Sequence, residues 1–312
     1  MRASRIRQNL FPVLAAMIWG TAFVAQSVGA DYVEPFTFNT ARSVIAALVL
    51  LPVSVLLRKL RDRDFAGQAE DRPSGRRELA IGGICCGVAL TLASNLQQKG
   101  METTTSGKAG FITALYIVIV PIAGIFLKKK VAKTIWISVA VAVVGLYFLC
   151  IQGNFSVAPG DLYLLLCAVC FSAQILLVDH FARKVDGVEL SCMQFFVVAV
   201  LSGIGMIATE SPSLEALKLC AWPILYVGVF SSGVAYTLQI LAQKDSNPTV
   251  VSLLLSLEAV FATVAGALLL HDRMSGRESL GCLLMLAAVV LAQLPERAKE
   301  RVASEAPKAA GK

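Results

Sequence analysis

Residues 104–148 read TTSGKAGFITALYIVIVPIAGIFLKKKVAKTIWISVAVAVVGLYF, and residues 247–291 read NPTVVSLLLSLEAVFATVAGALLLHDRMSGRESLGCLLMLAAVVL. At a constant offset of 143 residues the two stretches match: a polar start, a long apolar run, a short charged loop, a second apolar run. A shorter match supports them, because GVALTL at 87–92 recurs as GVAYTL at 233–238. The chain therefore holds one unit twice. Each copy contains five apolar segments, an odd number, so the second copy enters a membrane from the opposite face. Inverted repeats place a site between related halves that opens alternately to each side, which makes a carrier the leading reading.

Composition agrees. The 312 residues are 56% hydrophobic and only 16% charged, with mean hydropathy +0.71, whereas soluble chains carry about 25% charged residues. The net charge of +7 sits in short loops and tails between apolar runs. It is a topology signal rather than a nucleic-acid-binding face. All eight cysteines lie within or at the ends of apolar segments, where they act as small hydrophobes, and no disulfide framework is implied. Cys167 and Cys170 form a CxxC inside a membrane helix, with no second pair and no nearby His, so no metal is expected.

A spanning helix needs about 20 mainly apolar residues. Ten such stretches are present, roughly 10–29, 35–57, 79–98, 106–127, 134–152, 160–179, 188–208, 220–242, 247–270 and 275–294. The reading is an all-α integral membrane protein with ten transmembrane helices in two inverted five-helix repeats, 10–152 and 160–294, followed by a polar tail at 295–312. The tail is expected to be disordered or a frayed helix, and residues 58–78 a solvated connector. The first apolar run, 20 residues from Leu10 to Gly29, exceeds a signal-peptide core and has a counterpart at 162–180, so it is kept as an uncleaved helix.

Orientation follows from the basic residues. Of 28, 22 fall on the N-terminal side of the membrane, five on the other, and Arg42 lies inside a helix. That bias places both termini in the cytoplasm. The matched loops agree: LKKKVAK at 127–133 carries four lysines and no acid, whereas in LHDRMSGR at 270–277 the arginines are offset by Asp272 and Glu278.

Ionisable groups within lipid are costly, so each is a functional candidate. Glu258 lies about 16 Å from either end of its segment, near the midplane, too deep to snorkel. It must be protonated, paired or facing a wet cavity. Its repeat counterpart is Leu115, so the fold does not need a carboxylate there. Two roles stay open: closing an interhelical hydrogen bond, or taking part in proton coupling or substrate contact. Arg42 lies about 10 Å below the end of its helix, with Gln194 as counterpart, and is either an anchor or a charge lining the pathway. Trp19, Thr21 and Gln26, Asn95 and Gln97, Tyr116, Ser172 and Gln174, Tyr236, Gln239 and Gln243, and Ser252 and Ser256 are polar or aromatic groups at mid-helix or helix ends. Such groups turn inward, either to a neighbouring helix or to a cavity. Small residues in the fifth and tenth helices are expected to serve close packing.

Several chemistries are missing. The chain has no GxxxxGK[ST] for an ATP-driven cycle, no HExxH and no GxSxG. An enzyme would need clustered catalytic groups at one face. A receptor would usually bring a sizeable soluble domain or a mid-helix cofactor lysine, and Lys108 lies at a helix edge. No cofactor is expected.

MIWGTAFV at 17–24, Arg42 in FNTARSVIAALVLLP, SGKAGFITALYIVIVPIAGIFLKKK at 106–130, LLSLEAVFATVAGALLLHDRMSG at 254–276 and the Gly-bearing fifth and tenth helices together resemble the EamA-type members of the drug/metabolite transporter superfamily. The resemblance runs from about residue 10 to 294. It implies a ten-helix bundle around a cavity lined largely by helices 1, 3, 4, 6, 8 and 9. It also implies movement of amino acids or other small metabolites, often outward. Trp19, Arg42 and Glu258 match family-typical positions. Such proteins commonly carry Pro after the helix-9 Glu, and here Ala259 stands there; an acidic residue after helix 4 is replaced by the lysine run. The expectation is a bacterial inner-membrane carrier, with protons or a substrate gradient as driving force and Trp19, Arg42, Asn95, Gln97, Tyr116, Tyr236, Gln239 and Glu258 at the site. A membrane receptor, a scaffold or a membrane enzyme is the rival reading.

Overall fold

In the computed structural model, residues 2–64, 75–104, 106–127, 131–151, 158–244, 246–269 and 275–305 are described. They form helices and turns, with no strand among them. Among the described residues, ten helices are long and apolar enough to cross a membrane. Lipid offers no partner for backbone polar groups, which helices satisfy internally. Spans one to three are Arg2–Ala30, Pro35–Asp64 and Arg76–Met101, and the fifth to seventh are Lys133–Cys150, Pro159–Phe181 and Gly187–Thr209. The tenth helix, Gly276–Glu305, carries on into the tail that was expected to fray. Residues 65–74 of the long connector, and the charged stretches 128–130 and 270–274, lie outside the described residues.

Packing between spans shows the repeat. Exchanging each span for its mate five places on converts one set of helix contacts into another. The third span packs on the sixth and the eighth on the first; the third packs on the seventh and the eighth on the second; the first packs on the ninth and the sixth on the fourth. The second and seventh, fourth and ninth, and fifth and tenth pack on one another. This is the contact pattern of a pseudo-two-fold axis between inverted halves.

Without a hydrophobic driving force between helices in lipid, close packing does the work. The fifth and tenth spans approach so tightly that a Cβ on Gly281 would lie 2.7 Å from Leu149 N and 2.8 Å from Gly145 O. The small residues there serve the packing role expected of them. A second tie was not legible in the sequence. Glu210, at the end of the seventh span, accepts hydrogen bonds from Phe36 N at 2.8 Å, Thr37 N at 2.6 Å and Thr37 Oγ1 at 2.7 Å. It caps the exposed N–H groups that open the second span. Glu210→Ala is expected to cost about 2 kcal/mol, the upper range for a charged cap, seen as a lower melting temperature in detergent. An unchanged melting point would show that solvent caps this helix equally well.

Three spans expected to be continuous are not. The fourth breaks into Ser106–Thr113 and Tyr116–Phe126, and the ninth into Pro248–Leu255 and Glu258–Leu269. The breaks fall within one residue of each other under the 143-residue offset. In the ninth, Ser252 Oγ and Ser256 Oγ bond back to the carbonyls of Thr249 and Leu253, competing with the helical ladder. Leu257 N then reaches only Leu254 O, at 3.3 Å. Ala259 therefore does not prevent the break; the serines and the tightened turn accompany it. The eighth span consists of Ala221–Tyr226, a π-helix Val227–Ala235 and Tyr236–Gln243. Helical segments of this width are rare and concentrate at functional sites.

Candidate functional site

The breaks and the π-helix surround one cavity. Helical spacing explains which side chains reach it. Trp19, Phe23 and Gln26 recur at four- and three-residue steps along one face of the first span, and Phe171 shares a face of the sixth with Gln174 and Ile175, three and four residues on. Ser231, Tyr236 and Gln239 come from the eighth span, Thr113 and Tyr116 from the fourth, Leu255 and Glu258 from the ninth, and Gln97 from the third. Arg42 enters from the second, a helix outside the expected lining set.

Glu258 is not in the middle of a helix, as its sequence position suggested; it opens the second half of the broken ninth span. The positive end of that half-helix favours an oxygen-rich group. Tyr116 opens the matching half-helix of the fourth span, and its Oη donates to Glu258 Oε1 at 3.2 Å. The carboxyl is buried. Gly20 lets the first span pack closely on this half-helix: a Cβ there would lie 2.7 Å from Glu258 O and Ala262 N.

Arg42 is 3% exposed. Its Nη1 donates to Gln26 Oε1 at 3.1 Å, and its Nε is buried without a hydrogen-bond partner. Among the described residues no carboxylate lies within 4.0 Å of the guanidinium, so Glu258 shares the cavity with it but does not pair with it. A buried cation without an anion is costly. Gly228 of the π-helix allows the second span close, its Cβ position lying 3.0 Å from Arg42 O. Gln26 is held in turn from the third span, where Gln98 Nε2 donates to its backbone oxygen at 3.1 Å.

The wall is aromatic. Trp19 meets Tyr236 edge-on at 4.8 Å, and Phe195 meets the same ring at 5.3 Å. The Trp19 indole donates to Ser231 O at 3.4 Å, a carbonyl that also accepts the π-helical bond from Tyr236 N. Toward the end formed by the sixth and eighth spans, Gln239 Nε2 donates to Gln174 Oε1 at 3.1 Å and Gln174 Nε2 to Gln194 Oε1 at 3.4 Å. Gln239 Oε1 is left buried and unpaired. Gln243 donates to Ile175 O at 2.9 Å.

Seven of the eight expected site residues thus line one cavity. Asn95 stands apart: it donates to Ser202 Oγ at 2.9 Å and accepts from Asn39 Nδ2 at 3.0 Å, tying together the second, third and seventh spans. Phe171 was missed, yet a signal existed. The 152-residue offset that pairs Arg42 with Gln194 also pairs Trp19 with Phe171. Ser231 had none, since its place depends on the π-turn. No group of three or more His, Cys, Asp or Glu suited to a metal occurs among the described residues.

A family model described as the EamA-like transporter family matches residues 7–151 and again 158–294. An uncharacterized transporter of Archaeoglobus fulgidus is 31% identical over 93% of this chain and 87% of its own length. An uncharacterized transporter of Bacillus subtilis, YoaV, is 20% identical over 89% of this chain and 94% of its own. A protein of known crystal structure superposes with a TM-score of 0.75 at 18% identity, covering 94% of this chain and 98% of that one. That likeness bears on the fold alone.

Proposed function

The chain belongs to the EamA-like transporter family and is a multi-pass membrane transporter; on that premise we propose that it carries small metabolites, amino acids or related compounds, by alternating access around the central cavity. The observation that supports this most is the position of the cavity. It lies where the broken fourth and ninth spans, repeat mates, meet, and it holds both the buried Arg42 and Glu258. Exchange of conformation between inverted halves would open such a site to each face in turn. Arg42 orients anionic groups of the substrate, and Glu258 is the coupling or gating acid, driven by protons or by a substrate gradient. We place the protein in a bacterial inner membrane with both termini in the cytoplasm, from the bias of basic residues, and take its direction as outward from the family resemblance alone.

Over-expression is expected to raise tolerance to toxic amino-acid analogues or related metabolites. Purified protein in proteoliposomes is expected to exchange labelled for unlabelled solute of the same class. Unchanged tolerance across a broad panel, together with no exchange, would argue for a receptor or scaffold instead.

A further inference from the structure

Among the described residues lining the cavity, Arg42 is the one charged side chain besides Glu258. The guanidinium keeps its charge at any working pH. It has no carboxylate within ion-pair reach among the described residues, and its Nε lacks a partner. The other ionisable groups around Glu258 are Tyr116 of the fourth span, Cys150 of the fifth, Cys167 of the sixth and Tyr236 of the eighth. Cys282 and Glu278 of the tenth lie by Cys150, and the described part of the first span brings no acid or base to it. Among the described residues, the cavity lining therefore holds one fixed positive charge and one carboxyl that can match it. A water-poor site tolerates little net charge.

We propose that the cavity holds its net charge constant, so that the carboxylate of the cargo and that of Glu258 compete to balance Arg42. The cargo is a carboxylate on an apolar, flat body. Its carboxylate is matched to the Arg42 guanidinium, and its body lies against Trp19 and Tyr236. A cargo that is a net monoanion supplies the negative charge itself, and Glu258 then holds a proton. A zwitterionic cargo brings its own ammonium, which takes the place of that proton beside an ionised Glu258. The transporter thus moves one more proton with a monoanion than with the corresponding zwitterion. This rests on the carrier reading above and assigns the chemistry of the same site.

The test compares 3-phenylpropionate with phenylalanine, which differ by the ammonium group. Binding to the full-length protein in detergent is followed by calorimetry from mildly acidic to neutral pH. Whatever the protonation of the empty site, Kd for 3-phenylpropionate should rise tenfold more per pH unit than Kd for phenylalanine, because its complex holds one extra proton. The difference should vanish in Glu258→Gln, in which the side chain can no longer exchange a proton. Equal pH slopes in the unmodified protein would overturn the proposal, as would failure of both probes to bind. A slope difference that survives in Glu258→Gln would also overturn it, since some other group would then hold the proton. The carrier reading is judged separately by flux. Binding with the expected slopes but no flux of any solute sinks that reading and leaves the charge rule standing; flux with equal slopes does the reverse.

Discussion

Glu258→Gln is expected to abolish accumulation of solute driven by a pH gradient while leaving membrane insertion and solute exchange in place. Glutamine has nearly the same shape, and its oxygen still accepts from Tyr116, whose Oη lies 3.2 Å from Glu258 Oε1. Packing beside Gly20 is unaltered, because the backbone approach there involves no side-chain atom of Glu258. What is lost is the one carboxyl among the described residues of the cavity lining, and with it the site at which a proton could be taken up and released. Flux into proteoliposomes, with and without an imposed pH gradient, provides the check. Gradient-driven accumulation equal to that of the unmodified protein would remove the coupling role and leave Glu258 as the acceptor of an interhelical hydrogen bond.

Arg42→Ala is expected to weaken transport of carboxylates at least about 30-fold. Removing one member of a buried charge-assisted contact costs about 2–5 kcal/mol, and each 1.4 kcal/mol is about tenfold. The corresponding amides should lose far less, because their neutral head group gains little from the guanidinium. Two readouts are needed, since Arg42 also holds Gln26, at 3.1 Å, and stands over the Phe38 ring at 6.0 Å. Melting temperature in detergent reports the structural part, and the ratio of carboxylate to amide flux reports recognition. Equal losses for both solutes would identify Arg42 as an anchor of the second span.

The route by which each feature became visible differs. Span number was legible because apolar length is local, and close packing of the fifth and tenth spans because small residues announce it. The inversion was legible because an odd number of spans separates the two copies. The breaks were not. LSLEAVF and TALYIVIVP read as continuous apolar helix, and the break in the ninth span becomes visible only in the serine-to-carbonyl bonds and the tightened turn. The π-helix was hidden for a related reason: its GVAYTL end copies GVALTL, yet the third span is continuous helix through that region. Backbone approach at Gly228 to the second span is a property of the docked pair, not of either segment.

By itself, the sequence determined ten spans, their duplication and inversion, and the rarity of Arg42 and Glu258 inside lipid, because apolar length, repetition and charge are properties of single segments. Only the tertiary structure decided which polar groups share a cavity. Asn95 and Gln97 are two residues apart on one helix, so they point about 200° apart around its axis. One ties three spans together and the other faces the site. In lipid both kinds of residue turn inward for the same physical reason, to find a polar partner. The rotation and crossing of the neighbouring helices settle whether that partner is another side chain or the space a solute would fill.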